Sequence, residues 1–420
     1  MSTSAPTRRA LLGAGLGLGV TIEFAAAPVF ADAEQGRASK RLVVVICRGG
    51  LDGLSLTPPV GDANYAGLRG PIAIPAFGAE GGALKLDETF GLHPAMAFVH
   101  ALALKGEARI APAVATPDRE RSHFEAQDVL ESGATSVYGT SAGWLNRTLT
   151  AMGGRPRALS VGPTAPLILR GPFETASWSP GGGAQIDHRL PAILQDLYAN
   201  DPALAHALAD GLAADAVALS ARAELPSAQM TNEAQSMAAG SAYAPILKKG
   251  LPEARRLGAT VAAFMTAPAG AQIVAVSIDN FDTHANQGAS QGQLAGRLAY
   301  LDNVLGGLAD GMGPAWKDTI VVSVTEFGRT ARVNGTRGTD HGTASSALVM
   351  GGALRRGGLI GDWPTLAPAR LYEARDTAPT LDMRGLFKGV LADHLAIERR
   401  TLDTVVFPGS GAIAPAAGIV

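Results

Sequence analysis

Five runs of apolar, often β-branched residues recur along the chain. They occupy residues 40–47, 108–115, 272–278, 319–325 and 346–350. Runs without regular polar alternation are typical of strands that are buried on both faces of a parallel sheet. Helical patterns precede the second and the fourth run, over residues 94–105 and 292–308. Strands that alternate with helices predict an α/β fold with a mostly parallel sheet covered by helices on both faces.

The alternation is interrupted between residues 140 and 270. Residues 157–169 have the pattern of short strands, 180–184 form a glycine-rich segment, and 190–265 are mainly an alanine-rich helical pattern. We expect this largely helical stretch to be an insertion or cap on the α/β domain, which spans residues 40–408. The small residues of the C-terminal tail, 409–420, predict a flexible segment.

The N-terminus has the features of an export signal. Arg8 and Arg9 stand directly before an apolar segment, 10–20, and small residues follow over 25–33. This order predicts a twin-arginine signal peptide over residues 1–33. The apolar segment is too short for a stable membrane span, although a retained N-terminal anchor is the alternative. We therefore expect a periplasmic or secreted protein without an integral membrane segment once the signal is removed.

Composition narrows the range of partners. The chain has 420 residues, a formal net charge of -2 and 5% aromatic residues. Neither a basic surface for nucleic acid nor an aromatic platform for bases is indicated, so we expect no nucleic acid partner. Cys47 is the only cysteine, which rules out an intramolecular disulfide.

Polar residues and glycines follow each of the first four apolar runs and precede the fifth. Because the carboxyl ends of parallel strands meet at one edge of a sheet, we expect these segments to converge there. Carboxylates gathered in one place repel each other unless a cation lies among them. Mixed oxygen and nitrogen donors suit zinc or manganese, with magnesium or calcium as alternatives. The candidate metal ligands in these segments are Asp52, Asp282, His284, Glu326, Asp340 and His341.

Each candidate ligand also has an ordinary structural interpretation. Asp52 lies among glycines and could shape a turn, and Glu326 could be half of a buried ion pair. Asp282 and His284 could form a solvated hydrogen bond, and Asp340 and His341 could be a capping pair. Their shared location at predicted strand ends is what favours a metal site.

Ser122 opens the polar segment that follows the second run. The sequence Ser122-His-Phe-Glu125 is a capping box, which predicts a helix that begins here and continues to residue 131. A helix N-terminus also favours anions, so Ser122 could be a nucleophile as well as a cap. Gly139-Thr-Ser-Ala-Gly143 matches the nucleophile-elbow pattern of acyl hydrolases, but residues 133–138 before it make a poor strand.

Five sequence blocks together resemble one protein family. They are Arg48-Gly-Gly-Leu-Asp-Gly53, Ser122-His-Phe-Glu-Ala-Gln127, Asp282-Thr-His284, Thr325-Glu-Phe-Gly-Arg-Thr330 and Asp340-His-Gly342. In order and spacing, over residues 41–408, they resemble the bacterial domain-of-unknown-function family numbered 1501, in which twin-arginine signals are common. That family is grouped with the alkaline phosphatase-like superfamily. The resemblance implies a three-layer α/β/α sandwich and metal-assisted chemistry on a phosphate or sulfate ester.

The resemblance also assigns individual residues. Asp52 resembles the superfamily's first-strand aspartate, and Ser122 its nucleophile at a helix start. Asp282 and His284 resemble the aspartate and histidine after a middle strand, and His341 resembles the later lone histidine.

One block departs from the superfamily pattern. Glu326 stands where an aspartate is expected and Phe327 stands where a histidine ligand is expected, with Asp340 as a possible extra ligand beside His341. A one-metal or remodelled site is therefore implied rather than a two-metal site. Within residues 40–408 the motif that formylglycine sulfatases require, Cys-x-Pro-x-Arg or Ser-x-Pro-x-Arg, does not occur.

Two functional hypotheses follow. The first is an exported metal-dependent hydrolase or transferase acting on a small anionic phosphate or sulfate ester, in which Ser122 attacks and Arg48 or Arg329 steadies the anion. The second is a non-catalytic secreted protein that keeps the fold for binding or assembly. The loss of the expected aspartate–histidine pair favours the second hypothesis, and the retained Ser122, Asp52 and His341 favour the first.

Overall fold

A nine-stranded mixed sheet forms the centre of the part of the chain that is described. The computed structural model describes residues 39–154, 156–162, 166–179, 244–268 and 270–420, with single positions between 198 and 209. The strands are β1 (Arg41–Cys47), β2 (Leu84–Lys85), β3 (Gly91–Leu92), β4 (Ala108–Ala115), β5 (Ala158–Val161), β6 (Ala176–Trp178), β7 (Ile273–Ile278), β8 (Thr319–Val324), β9 (Ser345–Met350), β10 (Gly358–Leu359) and β11 (Leu381–Asp382). The α-helices are α1 (Gly53–Leu56), α2 (Tyr65–Arg69), α3 (Ala97–Leu104), α4 (His123–Ser132), α5 (Trp144–Met152), α6 (Ala244–Thr266), α7 (Gln293–Met312), α8 (Met383–Leu395) and α9 (Arg399–Thr401).

The strand order of the central sheet is β10-β4-β9-β8-β1-β7-β5-β6, and β11 also pairs with β4. Strand β1 lies near the middle and runs parallel to β7 and β8. Strand β9 runs antiparallel to both β4 and β8. All five apolar runs are thus strands, and the prediction of a mostly parallel α/β sheet is confirmed.

Helices cover both faces of this sheet. In β1, Val43 and Val45 point into a hydrophobic cluster that includes α3, α6 and α7. Leu42 and Val44 point to the opposite face, into a cluster that includes α4, α5 and α8. All four side chains are buried, and each contributes roughly 1.5–3 kcal/mol relative to an exposed position. The result is the three-layer α/β/α arrangement.

The reversed direction of β9 explains the order of the polar segments. The carboxyl ends of β1, β4, β7 and β8 lie at one edge of the sheet, and the amino end of β9 lies at the same edge because β9 is antiparallel. A polar segment before β9 therefore reaches the same place as the polar segments that follow the other strands.

Two segments differ from their sequence-based expectations. The stretch between residues 140 and 270, expected as an insertion or cap, contributes β5 and β6 to the central sheet itself, and its long helix is α6. The glycine-rich segment 180–184 lies outside the described residues. The tail 409–420, expected to be flexible, packs on α8. There Lys388 Nζ donates to the carbonyl oxygen of Ser410 at 2.7 Å, and Ile419 is fully buried. The burial of Ile419 and the hydrogen bond from the Lys388 ammonium group hold this tail in place.

The predicted export signal, residues 1–33, lies outside the described residues. Among the helices that are described, none combines the length and the apolar character needed to span a membrane.

Candidate metal centre

Four donor side chains meet at the carboxyl edge of the sheet. Asp282 and His284 follow β7, His341 precedes β9, and His123 is the first residue of α4, after β4. One ligand atom from each of His123, Asp282 and His341 lies within 4.8 Å of the others. The structure therefore brings together residues that are up to 218 positions apart in the chain (341 minus 123).

Asp282, His284 and His341 form a compact triangle of donor atoms, which we call the donor triangle. His284 Nε2 lies 3.0 Å from Asp282 Oδ1 and 3.0 Å from His341 Nε2. His341 Nε2 lies 3.3 Å from Asp282 Oδ1. Zinc bonds of about 2.0–2.1 Å in tetrahedral geometry separate neighbouring ligand atoms by roughly 3.3 Å. The donor triangle thus has the dimensions of one face of a tetrahedral site, with the fourth position left for water or substrate.

Hydrogen bonds orient both histidines of the donor triangle. His341 Nδ1 lies 2.9 Å from the carbonyl oxygen of Arg121, which only accepts, so the ring proton is on Nδ1. His284 Nδ1 lies 3.4 Å from Asp340 Oδ1, a long contact of the same sense. With neutral rings, two Nε2 lone pairs then face each other at 3.0 Å. The gap suits a shared proton or a bound cation, and the third donor atom, Asp282 Oδ1, lies at a matching distance from both nitrogens and favours the cation.

Burial and charge keep these groups in the forms that bind metals. Burial lowers the pKa of His341, which favours the neutral imidazole. Burial alone would raise the pKa of Asp282, but the Arg329 guanidinium outweighs it and the pKa is lowered. Arg329 Nη2 contacts Asp282 Oδ1. A carboxylate has about four lone-pair directions, so this contact leaves room for an ion.

Glu326 orients His123 instead of facing the donor triangle. Glu326 is fully buried, and its Oε1 lies 2.8 Å from His123 Nδ1. The same oxygen accepts from the backbone N–H of Gly49 at 2.8 Å and from Gln127 Nε2 at 3.2 Å. Burial alone would raise the pKa of Glu326, but the hydrogen bond from His123 and the other donors lower it. Glu326 is therefore an ionised partner of His123, and we do not retain it as a direct ligand.

His123 is the site residue that the sequence analysis did not single out. Its Nε2 lies 3.5 Å from Asp282 Oδ2, on the side opposite its bond to Glu326. The hydrogen bond with Glu326 raises the pKa of His123. The available signal was the imidazole beside Ser122 in the polar segment after the second apolar run. The capping interpretation of that segment drew attention to the serine instead.

Asp52 lies outside the donor triangle and forms a buried ion pair with Arg69. Its Oδ2 also accepts from Ser55 Oγ at 2.9 Å and from Gln287 Nε2 at 2.7 Å, and its Oδ1 accepts from the N–H of Leu54 at 3.2 Å. Both carboxylate oxygens are thus engaged by protein donors, and Asp52 caps α1. The turn-shaping interpretation describes this residue, and its expected metal role is not carried forward.

Gln287 joins the two segments that carry the donor triangle. Its Oε1 accepts from Thr283 Oγ1 and from Thr339 Oγ1, each at 2.9 Å. Thr283 lies between Asp282 and His284, and Thr339 is two residues before the third member. Because Gln287 is fully buried and also donates to Asp52, it ties both segments to the Asp52–Arg69 pair.

The two arginines expected to steady an anion have protein partners. Arg329 is buried and donates to the carbonyl oxygens of Gly50 at 2.6 Å and Thr339 at 3.0 Å. Arg48 donates to Gln127 Oε1 at 2.6 Å and pairs with Glu131 at 2.5 Å. Both guanidinium groups therefore organise the loops of the site, and their predicted catalytic role is not part of the proposal below.

Ser122 stands at the N-cap position of α4 with extended backbone angles, but its hydroxyl makes no capping hydrogen bond. The helix start was predicted at the right place, whereas the capping bond was wrong. On one side of Ser122, the carbonyl oxygen of Arg121 contacts His341 Nδ1. On the other side, His123 is one of the four donor residues that meet at the carboxyl edge of the sheet. Ser122 thus lies between two residues of the site. Ser141 of the elbow-like motif is in an exposed loop before α5 that follows no strand.

The exposed side chain of Asp340 lies on the Nδ1 side of His284. Its Oδ1 accepts a hydrogen bond from Asn334 Nδ2 at 3.1 Å. Its contact with His284 Nδ1 places it outside the donor triangle, as a group that orients a ligand. Such outer partners hold the ring of a metal ligand in a fixed orientation.

Three comparisons relate this chain to known proteins. A search of curated proteins found no match. Among solved structures, the phosphonate monoester hydrolase of Agrobacterium radiobacter is similar at 11% identity over 86% of this chain and 74% of that chain, with a TM-score of 0.43. A protein in the alkaline phosphatase superfamily from Vibrio parahaemolyticus is similar at 11% identity over 76% and 62% of the two chains, with a TM-score of 0.32. Residues 39–406 match the model of the family described as "Protein of unknown function (DUF1501)", and the chain belongs to this family.

Proposed function

We propose that the protein is a metal-dependent hydrolase of a small phosphate or sulfate ester. Asp282, His284 and His341 would hold the divalent ion, zinc or manganese. The observation that carries the proposal is the donor triangle, with sides of 3.0, 3.0 and 3.3 Å and both Nδ1 atoms turned outward. Three protein ligands and one open position are typical of catalytic zinc sites rather than structural ones.

The residues around the donor triangle suit ester chemistry. A bound ion would supply Lewis acidity toward an ester oxygen and favour an ionised nucleophile. The first turn of α4 presents backbone N–H groups and the positive end of the helix dipole, which favour an anionic substrate. We assign the nucleophile to Ser122, whose hydroxyl is not engaged as a cap.

His123 is suited to move a proton at this site. Glu326 holds its Nδ1 proton and fixes the ring, so Nε2 is the atom that can accept or give a proton near Asp282. In this proposal Ser122 passes its proton to His123. The alternative is that His123 joins the donor triangle as a fourth ligand, which would fill the open position. The two assignments predict different effects: as a proton carrier His123 is dispensable for metal binding, and as a ligand it is not.

The second candidate is a secreted protein that binds a metal without turnover. It is favoured by the pairing of Arg48 and Arg329 with protein carboxylates, because these two guanidinium groups are then engaged by the protein rather than by a substrate anion. Under this candidate Ser122 has no chemical role.

Metal analysis of the purified protein tests the site. We expect about one equivalent of ion in the wild type and loss of the ion in His284→Ala and in His341→Ala. The matched control is His100→Ala, a partly exposed histidine on α3 that bonds to the carbonyl oxygen of Lys85 at 2.9 Å. Full metal in His341→Ala, or loss of metal in the His100 control, contradicts the assignment.

A panel of aryl phosphate and sulfate esters then separates the two candidates. Turnover by the metal-loaded wild type that Ser122→Ala abolishes supports the hydrolase and its nucleophile. Turnover that survives Ser122→Ala keeps the hydrolase and discards this nucleophile. Full metal without turnover across the panel favours the binding protein.

A further inference from the structure

A cavity of about 310 Å³ adjoins the donor triangle. Asp340 connects the two, because it lines the cavity and its Oδ1 lies 3.4 Å from Nδ1 of His284, a member of the donor triangle. Arg375 also lines the cavity and donates to the carbonyl oxygen of His341 at 2.7 Å. The cavity thus touches residues bonded to both histidines. Its size is at the lower end of small-molecule pockets, which are roughly 300–1,000 Å³.

The wall of this cavity is partly apolar and partly cationic. Leu68 and Leu371 are among its apolar members. The lining includes two arginines, Arg332 and Arg375, and one carboxylate, Asp340, so it has an excess of positive charge. A cavity with these two characters favours a ligand that has a short apolar part and a negative group.

Arg332 is the cation that such a ligand would meet. Arg375 already pairs with Asp376, with an Nη1–Oδ1 distance of 3.3 Å. Asn334 is already bonded to Asp340 at 3.1 Å. Arg332 is exposed, and within the described residues it has no ion-pair partner. An arginine of this kind can bind a carboxylate or phosphate through two parallel hydrogen bonds.

We propose that this cavity holds the part of the substrate beyond the ester, and that this part carries a second anionic group bound by Arg332. The inference rests on the proposed function, because it takes the donor triangle as the place where the ester binds. The substrate class is then a phosphate or sulfate ester whose alcohol portion bears a carboxylate or a further phosphate next to a small apolar group.

Calorimetric titration of the zinc-loaded protein with phosphonates tests this without requiring turnover. The probes are phenylphosphonate, benzoate, 4-carboxyphenylphosphonate and 2-carboxyethylphosphonate. We expect at least one of the two carboxylated phosphonates to bind about tenfold more tightly than phenylphosphonate, since a charge-assisted hydrogen bond contributes about that much. Arg332→Gln should remove this preference and leave the affinity for phenylphosphonate unchanged.

The matched control is Arg337→Gln, on the same loop, because Arg337 is also exposed but does not line the cavity. It should keep the preference. If the phosphonates bind but the carboxylate adds nothing, or if both variants behave alike, the inference is overturned while the ester site stands. If no phosphonate binds the loaded wild type, the proposed function fails and the inference with it. Benzoate that binds through Arg332 without competing with phenylphosphonate would show that the cavity takes a separate anion, which also overturns the inference.

Discussion

Replacing Asp52 by alanine distinguishes a buried ion pair from a metal ligand. Arg69, its partner, is fully buried, and its other side-chain contacts are Ser55 Oγ at 3.0 Å and the carbonyl oxygen of Thr330 at 3.3 Å. In Asp52→Ala the guanidinium stays buried without a counter-charge. Breaking a buried pair in this way costs roughly 3–5 kcal/mol. Domains of this kind have a total stability of about 5–15 kcal/mol, so the variant should fold but be much less stable.

Metal binding should respond differently. The donor triangle does not include Asp52, and Gln287 keeps its bonds to Thr283 and Thr339 in the variant. Asp52→Ala should therefore bind one equivalent of ion when metal is saturating. His341→Ala should show the reverse: loss of the ion, with an unfolding free energy close to that of the metal-free wild type.

A double variant completes this experiment. Asp52→Ala combined with Arg69→Met removes both charges, and replacing a buried pair by apolar groups is often nearly neutral. We expect urea unfolding of the metal-free proteins to show that the double variant recovers most of the stability lost in Asp52→Ala. If Asp52→Ala loses the metal while its metal-free stability equals that of the wild type, the ion-pair assignment is refuted and Asp52 is a ligand.

Four further results are expected. Gln287→Met removes the hydrogen bonds by which the side-chain amide joins the two ligand-bearing segments, and it should weaken zinc affinity by about tenfold in a competition titration. Unchanged affinity would contradict the assignment of Gln287 as the group that joins these segments. Ser122→Ala should change the unfolding free energy by less than about 0.5 kcal/mol, because the hydroxyl makes no capping bond, and a loss near 1 kcal/mol would restore the cap. Burial lowers the pKa of His93 to about 4, so its neutral form stabilises the fold above the unfolded pKa near 6.5, and this contribution is lost as pH falls toward 4. Between pH 7.5 and 4.5 the wild type should therefore lose about 2–3 kcal/mol more than His93→Gln in denaturant titrations, and parallel curves would argue against it. Replacing Arg8 and Arg9 by lysine should leave folded, unprocessed protein in the cytoplasm, and normal export of that variant would rule out the twin-arginine route.

Much of the fold could be predicted because buried strands have a local signature. The apolar runs at 108–115 and 319–325 correspond closely to β4 and β8, since a strand covered on both faces needs apolar residues throughout. The direction of β9 could not be predicted in this way. An apolar run looks the same whichever way the strand is inserted, and only its pairing with β4 and β8 decides the direction.

The candidate site was predicted in part for a related reason. Asp282, His284 and His341 were identifiable because polar residues at strand ends converge at one sheet edge, whatever the details of the loops. Which convergent side chains face one another is a matter of tertiary contacts. Glu326 and Asp52 have the same local features as Asp282, namely a carboxylate just beyond a buried strand.

The sequence by itself determined the five apolar strands, the helices that cover them and the edge at which the polar residues gather, because each follows from the periodicity and composition of short segments. Only the tertiary structure decided that Asp52 pairs with Arg69 and that Glu326 holds His123. The energy of a buried carboxylate depends on which donor packs against it, and that donor comes from a distant part of the chain. Carboxylates with equivalent sequence contexts thus become an ion-pair partner, a histidine anchor and a candidate metal ligand.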